Sequence, residues 1–438
     1  MRALYFVCSC AMLAVGLFGC GGGGGGGGSS SGGGGSGGGS ANTPAPVISG
    51  LHINPPGLYL GADGRVDLQF SYAGATGGAA SATFVILDSM GNILSNSNGP
   101  ITGGAGQASG IVISTLNFDT SAIGNFSFRI TLADVSGHVS NMLTGPFRVA
   151  NQPWVAKAAM PHARNLFAVA AAGGLAYVIG GELLNTGTTP GPDSALVEVY
   201  NPATDAWAAG VALPTARKAP VAATVNGVIY VIGGFNAGNP GGLGTVEAFD
   251  PLASSWTTKT SMPTARSSAA AAVVGGRICV FGGTSGGLDV ATTECFDPAA
   301  NSWASEPAMP TARHALGSDA LGPAAYAVGG AALTSPSGFV STVERFDGAN
   351  WSSSASMSLI RANVAVVGAS GLLYVIGGNN TIAALSSVEA FDPASGTWTI
   401  KTDMPTSLTQ LGGVTIGGLI YVFEQSHSFQ YTPSNDVR

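Results

Sequence analysis

The sequence predicts an all-β protein, a six-bladed β-propeller over residues 151–438 preceded by a smaller β-sandwich. Three recurring features predict it. Every tryptophan falls on one period, at Trp154, Trp207, Trp256, Trp303, Trp351 and Trp398, spaced 53, 49, 47, 48 and 47 residues apart. An apolar strand closing on two glycines recurs at a fixed phase, and so does a strand ending in an aromatic residue and an Asx-Pro turn. A period near fifty is the signature of a repeat architecture and outranks local propensity.

Composition sets the frame. Only 9% of the 438 residues are charged while 68 are glycine, which suits short strands joined by tight turns better than solvated helices. A net charge of −7 with scattered Lys and Arg offers no basic stripe to neutralise a phosphate backbone, so nucleic acid is not an expected partner.

Residues 1–19 read as an export signal: Arg2 is the basic start, and the apolar run from Ala3 to Phe18 is short for a bilayer span. The run ends in Leu17-Phe18-Gly19-Cys20, which resembles the lipobox of bacterial lipoproteins, although Phe18 replaces the small or branched residue usual there. The resemblance implies acylation of Cys20; a plain secretory cleavage nearby is the alternative. Acyl chains contribute about 0.8 kcal/mol per buried methylene, so several on one cysteine hold a protein durably on a membrane. Gly21 is not the aspartate that marks inner-membrane retention in that family, which favours the outer membrane where one exists. Residues 20–44 are Cys20 and a Gly/Ser-rich linker, almost only Gly and Ser from Gly21 to Ser40. Twenty such residues reach roughly 25 Å, a spacer between lipid and folded body.

Residues 45–150 carry alternating apolar stretches at 66–72, 82–88, 110–114 and 125–132. Roughly seven short strands bounded by Gly, Asn, Asp and Ser turns suggest a β-sandwich. The run from Phe118 to Ile130 resembles the penultimate-strand corner of bacterial Ig-like modules, which implies a spacer or adhesive unit.

In the repeats, each Trp is followed six residues later by Met160, Leu213, Met262, Met309, Met357 or Met404, then by Pro in five copies and Ser358 in the other. The diglycine strands read LAYVIGG, VIYVIGG, RICVFGG, AAYAVGG and LLYVIGG, ending at Gly181, Gly234, Gly283, Gly330 and Gly378; the sixth, LIYVFEQ, lacks both glycines. Wholly apolar strands are buried on both faces, as when sheets stack radially. The third element runs from Glu198, Glu247, Glu294, Glu344 and Glu389 into an aromatic residue and a turn, with Phe429-Gln-Tyr-Thr-Pro433 as its last copy. Diglycine, spaced Tyr and Trp, and this turn at one period resemble kelch repeats over residues 154–433. Trp154 has no diglycine strand before it and the Phe429 strand has no Trp strand after it, so the two complete one blade and close a ring of six.

Arg164, Arg217, Arg266, Arg313 and Arg361 share one register, with Leu408 in the sixth copy. They are either ion-pair anchors matched to the repeated glutamates or a crown at the channel mouth, where a forked guanidinium holds a carboxylate or sugar. The kelch resemblance implies that this strand start approaches the ligand-binding face. Asp319 stands where other repeats have Ala170, Ala223, Ala272, Val367 and Val414, and is a candidate channel-lining acid. Cys279 and Cys295 form either a disulfide or two small buried apolar positions.

Kelch-type copper-radical oxidases need two His, two Tyr and a thioether Cys; His162, His314 and His427 with repeat-phased cysteines do not fit that set. Resemblance to six-bladed kelch sialic-acid mutarotases is more tolerant, since they need an acid/base pair and anion-holding arginines. The expectation is a membrane-tethered monomer without cofactor or metal whose variable loops after the diglycines recognise a protein or glycan. A carbohydrate-active epimerase is the alternative.

Overall fold

The computed structural model describes residues 44–438 except 103–104, 119, 185–190 and 426. Cys20, the export segment and nearly all of the Gly/Ser spacer lie outside the described residues. The chain forms two compact units, one of residues up to Gln152 with Val437 and Arg438, the other of Pro153–Asp436. Among the described residues no helix is long and apolar enough to cross a membrane.

Among the described residues the first unit holds eight strands in two sheets. Val47–Asn54, Arg65–Ala73 and Ser109–Asn117 make one sheet. Gly57–Tyr59, Leu143–Ala150, Gly124–Asp134, Ala79–Asp88 and Ile93–Pro100 make the other in that order, its first pair parallel. Alternation decides which faces meet: Val66, Leu68, Phe70 and Tyr72 point inward from one strand, and Phe84, Phe128 and Phe147 answer from the facing sheet. Phe118 stacks on Phe147 with ring centroids 4.7 Å apart. The four stretches marked in the sequence fall within strands Arg65–Ala73, Ala79–Asp88, Ser109–Asn117 and Gly124–Asp134. Gly57–Tyr59, three residues directly after a Pro-Pro pair, is too short to show a period.

The second unit holds six four-stranded antiparallel sheets among the described residues. In the first, Ala168–Ala172, Leu175–Ile179, Val197–Asn201 and Ala206–Ala209 pair in chain order. Four more sheets repeat this order, and their first strands are Val221–Val225, Ala270–Val274, Gly317–Leu321 and Ala365–Ala369. The sixth consists of Gly412–Ile416, Leu419–Glu424, His427–Tyr431 and, from the other end of the unit, Trp154–Ala156. Trp154 lies opposite Tyr431 and Ala156 opposite Phe429. Each first strand neighbours the first strands of the sheets before and after it, and the sixth neighbours the first.

The tryptophans have two tasks. Each packs on the aromatic residue opposite it in the third strand, as Trp207 on Tyr200 (5.1 Å), Trp256 on Phe249 (5.0 Å) and Trp154 on Tyr431 (4.7 Å). Each indole N–H also donates to a carbonyl four residues beyond the tryptophan of the preceding sheet: Trp207 to Ala158, Trp256 to Val211, Trp303 to Thr260, Trp351 to Pro307, Trp398 to Ala355 and Trp154 to Thr402, at 2.8–3.1 Å. Six indoles thus stitch six sheets in a closed circle, which explains why no repeat lacks its tryptophan.

The diglycines serve the inner side. Gly180 and Gly181 have φ of +69° and +102°, and the Gly181 N–H donates to the Arg217 carbonyl of the next sheet at 2.9 Å. A Cβ on Gly180 would lie 2.9 Å from that carbonyl oxygen. Gly234, Gly283, Gly330 and Gly378 clasp Arg266, Arg313, Arg361 and Leu408 in the same way. Glu424 and Gln425 stand where the sixth pair would meet Arg164. At that seam between the sixth and first sheets Tyr200 packs on Tyr421 and Phe423, and Trp207 on Phe423, as aromatic pairs also do at the other seams.

Candidate functional site

The five repeat-phased arginines are fully buried, their side chains 0% exposed. Each guanidinium pairs with the glutamate of its own sheet: Arg164 with Glu198, Arg217 with Glu247, Arg266 with Glu294, Arg313 with Glu344 and Arg361 with Glu389, at 2.5–2.7 Å. The terminal nitrogens also donate to backbone carbonyls, such as Arg266 to Thr292 and Val280, while the buried Nε of Arg164, Arg266, Arg313 and Arg361 has no partner. In four sheets the second glutamate oxygen is held by a residue two positions before the arginine: Thr215, Thr264 and Thr311 donate hydroxyls at 2.8–2.9 Å, and His162 meets Glu198 at 2.7 Å; in the fifth the Ser358 N–H donates to Glu389. Burial lowers each guanidinium pKa, and the paired glutamate partly offsets it. The crown of ligand-clamping arginines is therefore corrected. The strand start does reach the channel mouth, but the side chains turn into the sheet and have no surface left for a ligand. Leu408 and Phe429 occupy the equivalent places in the sixth sheet and share one apolar cluster.

Two residues beyond each arginine register, the backbone builds a collar at the mouth. Leu166, Ala219, Ser268, Ala315, Asn363 and Gln410 all have φ between +48° and +57°. The N–H of Ala219 donates to the Leu166 carbonyl, Ser268 to Ala219, Ala315 to Ser268, Asn363 to Ala315 and Gln410 to Asn363, at 2.7–3.1 Å. Among the described residues no sixth bond joins Leu166 to Gln410, so the collar is open at the same seam that lacks the diglycine. A left-handed conformation costs a non-glycine residue on the order of 1 kcal/mol. Six such residues persist because each fixes a bond between neighbouring sheets or borders the seam.

Behind the collar the first strands line a channel cavity of about 270 Å³. Asp319 lies in its wall at the register of Ala170 and Ala272, as the sequence predicts, and is the one ionisable side chain among the lining residues. Its carboxylate accepts the Gly368 N–H of the next inner strand at 2.8 Å and its neighbour Ala320 N–H at 2.7 Å. Burial raises its pKa and these two N–H groups oppose the rise. Ser318 and Thr415 make similar links, to Ala271 and Gly368 carbonyls. Asp319 is thus tied between two strands instead of standing free in the channel.

The position just before the collar residue differs in every repeat: Asn165, Lys218, Ser267, His314, Ala362 and Thr409. Lys218 is 7% exposed and bonded to Glu182 (3.2 Å), Asp193 (3.6 Å) and the Gly191 carbonyl (2.7 Å) of the preceding sheet's loop. His314 repeats this geometry two sheets on. Its Nδ1 meets Asp289 Oδ1 at 2.7 Å, and Asp289 Oδ2 accepts the Leu333 N–H at 2.7 Å. The equivalent Asp193 accepts the Ala237 N–H. His314, 29% exposed, borders a cavity of about 500 Å³ that shares Ser268, Ala315 and Asn363 with the collar. His162 and His427 lie apart from it, beside Glu198 and Glu424. The sequence singled out His314 only as one of three histidines; its partner, 25 residues earlier in another repeat's loop, carried no signal.

Cys279 and Cys295 face each other on adjacent strands of the third sheet, both buried, and their sulfurs are bonded. Of the two readings, the structure adopts the disulfide.

Residues 166–332 match a family model described as the KLHDC2/KLHL20/DRC7 Kelch-repeats domain, and residues 360–405 match the Kelch motif. A stretch of 59 residues, 14% of this chain, is 41% identical to the Homo sapiens kelch repeat and BTB domain-containing protein 13 and spans 13% of that protein. Among solved structures, one titled "Structure of YjhT" aligns with a TM-score of 0.52 at 14% identity, covering 62% of this chain and 94% of its own. The chain carries kelch repeats, and the structural likeness shows a shared all-β propeller fold.

Proposed function

We propose that the protein is a tethered recognition protein of the cell envelope, in which a six-bladed propeller presents its collar-side mouth to a protein or glycan. Six sheets with neighbouring first strands, the sixth completed by Trp154–Ala156, support counting each sheet as a blade. The two-sheet unit serves as an Ig-like spacer. Acylated Cys20 holds the chain on a membrane, the outer one where the organism has two, and the Gly/Ser coil gives it reach. The Cys279–Cys295 bond supports an oxidising, extracytoplasmic setting. The chain acts as a monomer without a cofactor.

The observation that carries the reading is a contrast within the repeats. Arginine, glutamate, tryptophan and diglycine recur in fixed contacts, whereas the position before the collar and the loops after the diglycines differ in every repeat. A rigid frame with one non-repeating rim is how scaffolds present recognition residues. Glycan and protein arrays probed with the full chain are expected to give saturable binding, and Cys20→Ser is expected to move the protein from the membrane to the soluble fraction. A Cys20→Ser protein that stays with the membrane would refute the tether.

A second reading, catalysis on a sugar, is favoured by one feature: Asp289 orients the His314 imidazole as an acid/base group beside a cavity. Anomerisation measured by NMR and lost in His314→Gln supports it; no turnover leaves recognition alone.

A further inference from the structure

We infer that the cavity beside His314 is the ligand site of the collar face and that it takes a neutral sugar, not an acidic one; this rests on the recognition reading above. The volume, about 500 Å³, lies within the range of about 300–1,000 Å³ usual for small-molecule sites. Its walls combine apolar Phe339, Leu333 and Ala332 with a few polar groups from His314, Asn363 and Ser268. Phe339 is half-buried and Leu333 is 67% exposed, so an apolar face remains for a ligand to cover.

The polar groups are ordered before any ligand arrives. The Asp289 carboxylate, 6% exposed, accepts from Nδ1 of His314 and from the Leu333 N–H, which fixes the ring and leaves Nε2 for a ligand. The Asn363 amide donates to Asn379 Oδ1 at 2.9 Å, so its own Oδ1 stays available as an acceptor. The imidazole Nε2, a carboxamide oxygen and the Ser268 hydroxyl ask for a partner whose groups both donate and accept. Sugar hydroxyls do both, and the C–H face of a pyranose packs on an aromatic ring such as Phe339.

Charge selects the class. Among the described residues no Lys or Arg lines the cavity. The five arginines that could have held an anion are buried against glutamates, and Lys218, two sheets away, is engaged by two carboxylates. Asp289 behind the ring and a chain net charge of −7 oppose an anion further.

The test is calorimetry on the full chain with methyl hexopyranosides and N-acetylhexosamines against N-acetylneuraminic acid. Neutral sugars are expected to bind, with His314→Ala and Phe339→Ala each weakening affinity tenfold or more and Leu252→Ser, in an exposed turn, leaving it unchanged. His314→Gln guards against a packing defect: it should also weaken binding while the thermal midpoint stays put. Preference for the acidic sugar, or neutral-sugar binding indifferent to both alanine variants, would overturn the inference. A protein ligand that mouth substitutions abolish, with no sugar affinity, overturns it too and leaves the recognition reading standing.

Discussion

Arg361→Met is expected to destabilise the repeat unit by about 3–5 kcal/mol, because it strands a buried carboxylate. Glu389 is nearly inaccessible; Arg361 supplies it with a charged donor and the Ser358 N–H caps its other oxygen. Arg361 also donates to the Gly377 and Ser387 carbonyls, which lose that donor in the variant, although the Ser387 carbonyl keeps the Gly377 N–H. The protein itself contains the compensated version. In the sixth sheet Leu408 replaces the arginine and Phe429 the glutamate, each at the same register, and the two are buried in one apolar cluster. The double substitution Arg361→Leu with Glu389→Phe is therefore expected to recover most of the loss, since well-packed apolar replacements of buried ion pairs are often neutral or stabilising. A urea-denaturation double-mutant cycle reads both results. A single-variant cost below about 1 kcal/mol would mean that the pair behaves as a surface salt bridge, against its burial.

Deleting residues 151–160 is expected to cost more than any single substitution. The Trp154 side chain alone, on the scale of large-to-small aromatic replacements, contributes about 3–5 kcal/mol. It packs at a tilt on Tyr431 and donates to the Thr402 carbonyl, and the same deletion removes the Ala158 carbonyl that receives the Trp207 indole. Two of the six indole links would go at once. The strand His427–Tyr431 would become an exposed edge, a template for pairing with another molecule. Scanning calorimetry and size-exclusion chromatography should show a lower thermal midpoint and concentration-dependent association. An unchanged midpoint and a monomeric profile would remove the closing role of this strand.

Much of the repeat unit was legible because each repeated residue has a repeated physical task. Tryptophan is needed six times because six indoles each bond the sheet before. The diglycine is needed wherever a following strand start presses its carbonyl on the turn, and it disappears in the sheet where the two ends of the repeat unit pair. The orientation of the arginines was not legible. A guanidinium at a strand start reaches either the mouth or the sheet interior with the same sequence, and the choice follows from glutamates some 30 residues later. The collar left no trace, because Leu166, Ala219, Ser268, Ala315 and Gln410 are not residues that announce a left-handed conformation; of the six only Asn363 is. Nor did the His314–Asp289 pair, which joins two loops of different length and composition.

The central claim is that the repeated charges build the frame and the non-repeating rim does the recognition. The measurement that bears on it most directly is ligand affinity, for whichever glycan or protein the arrays return, in the full chain carrying Ser267, His314 and Thr409 replaced together by alanine. Affinity is expected to fall at least tenfold, about 1.4 kcal/mol, with the thermal midpoint held within a few degrees. Undiminished affinity in that well-folded variant would contradict the account and move recognition away from the collar.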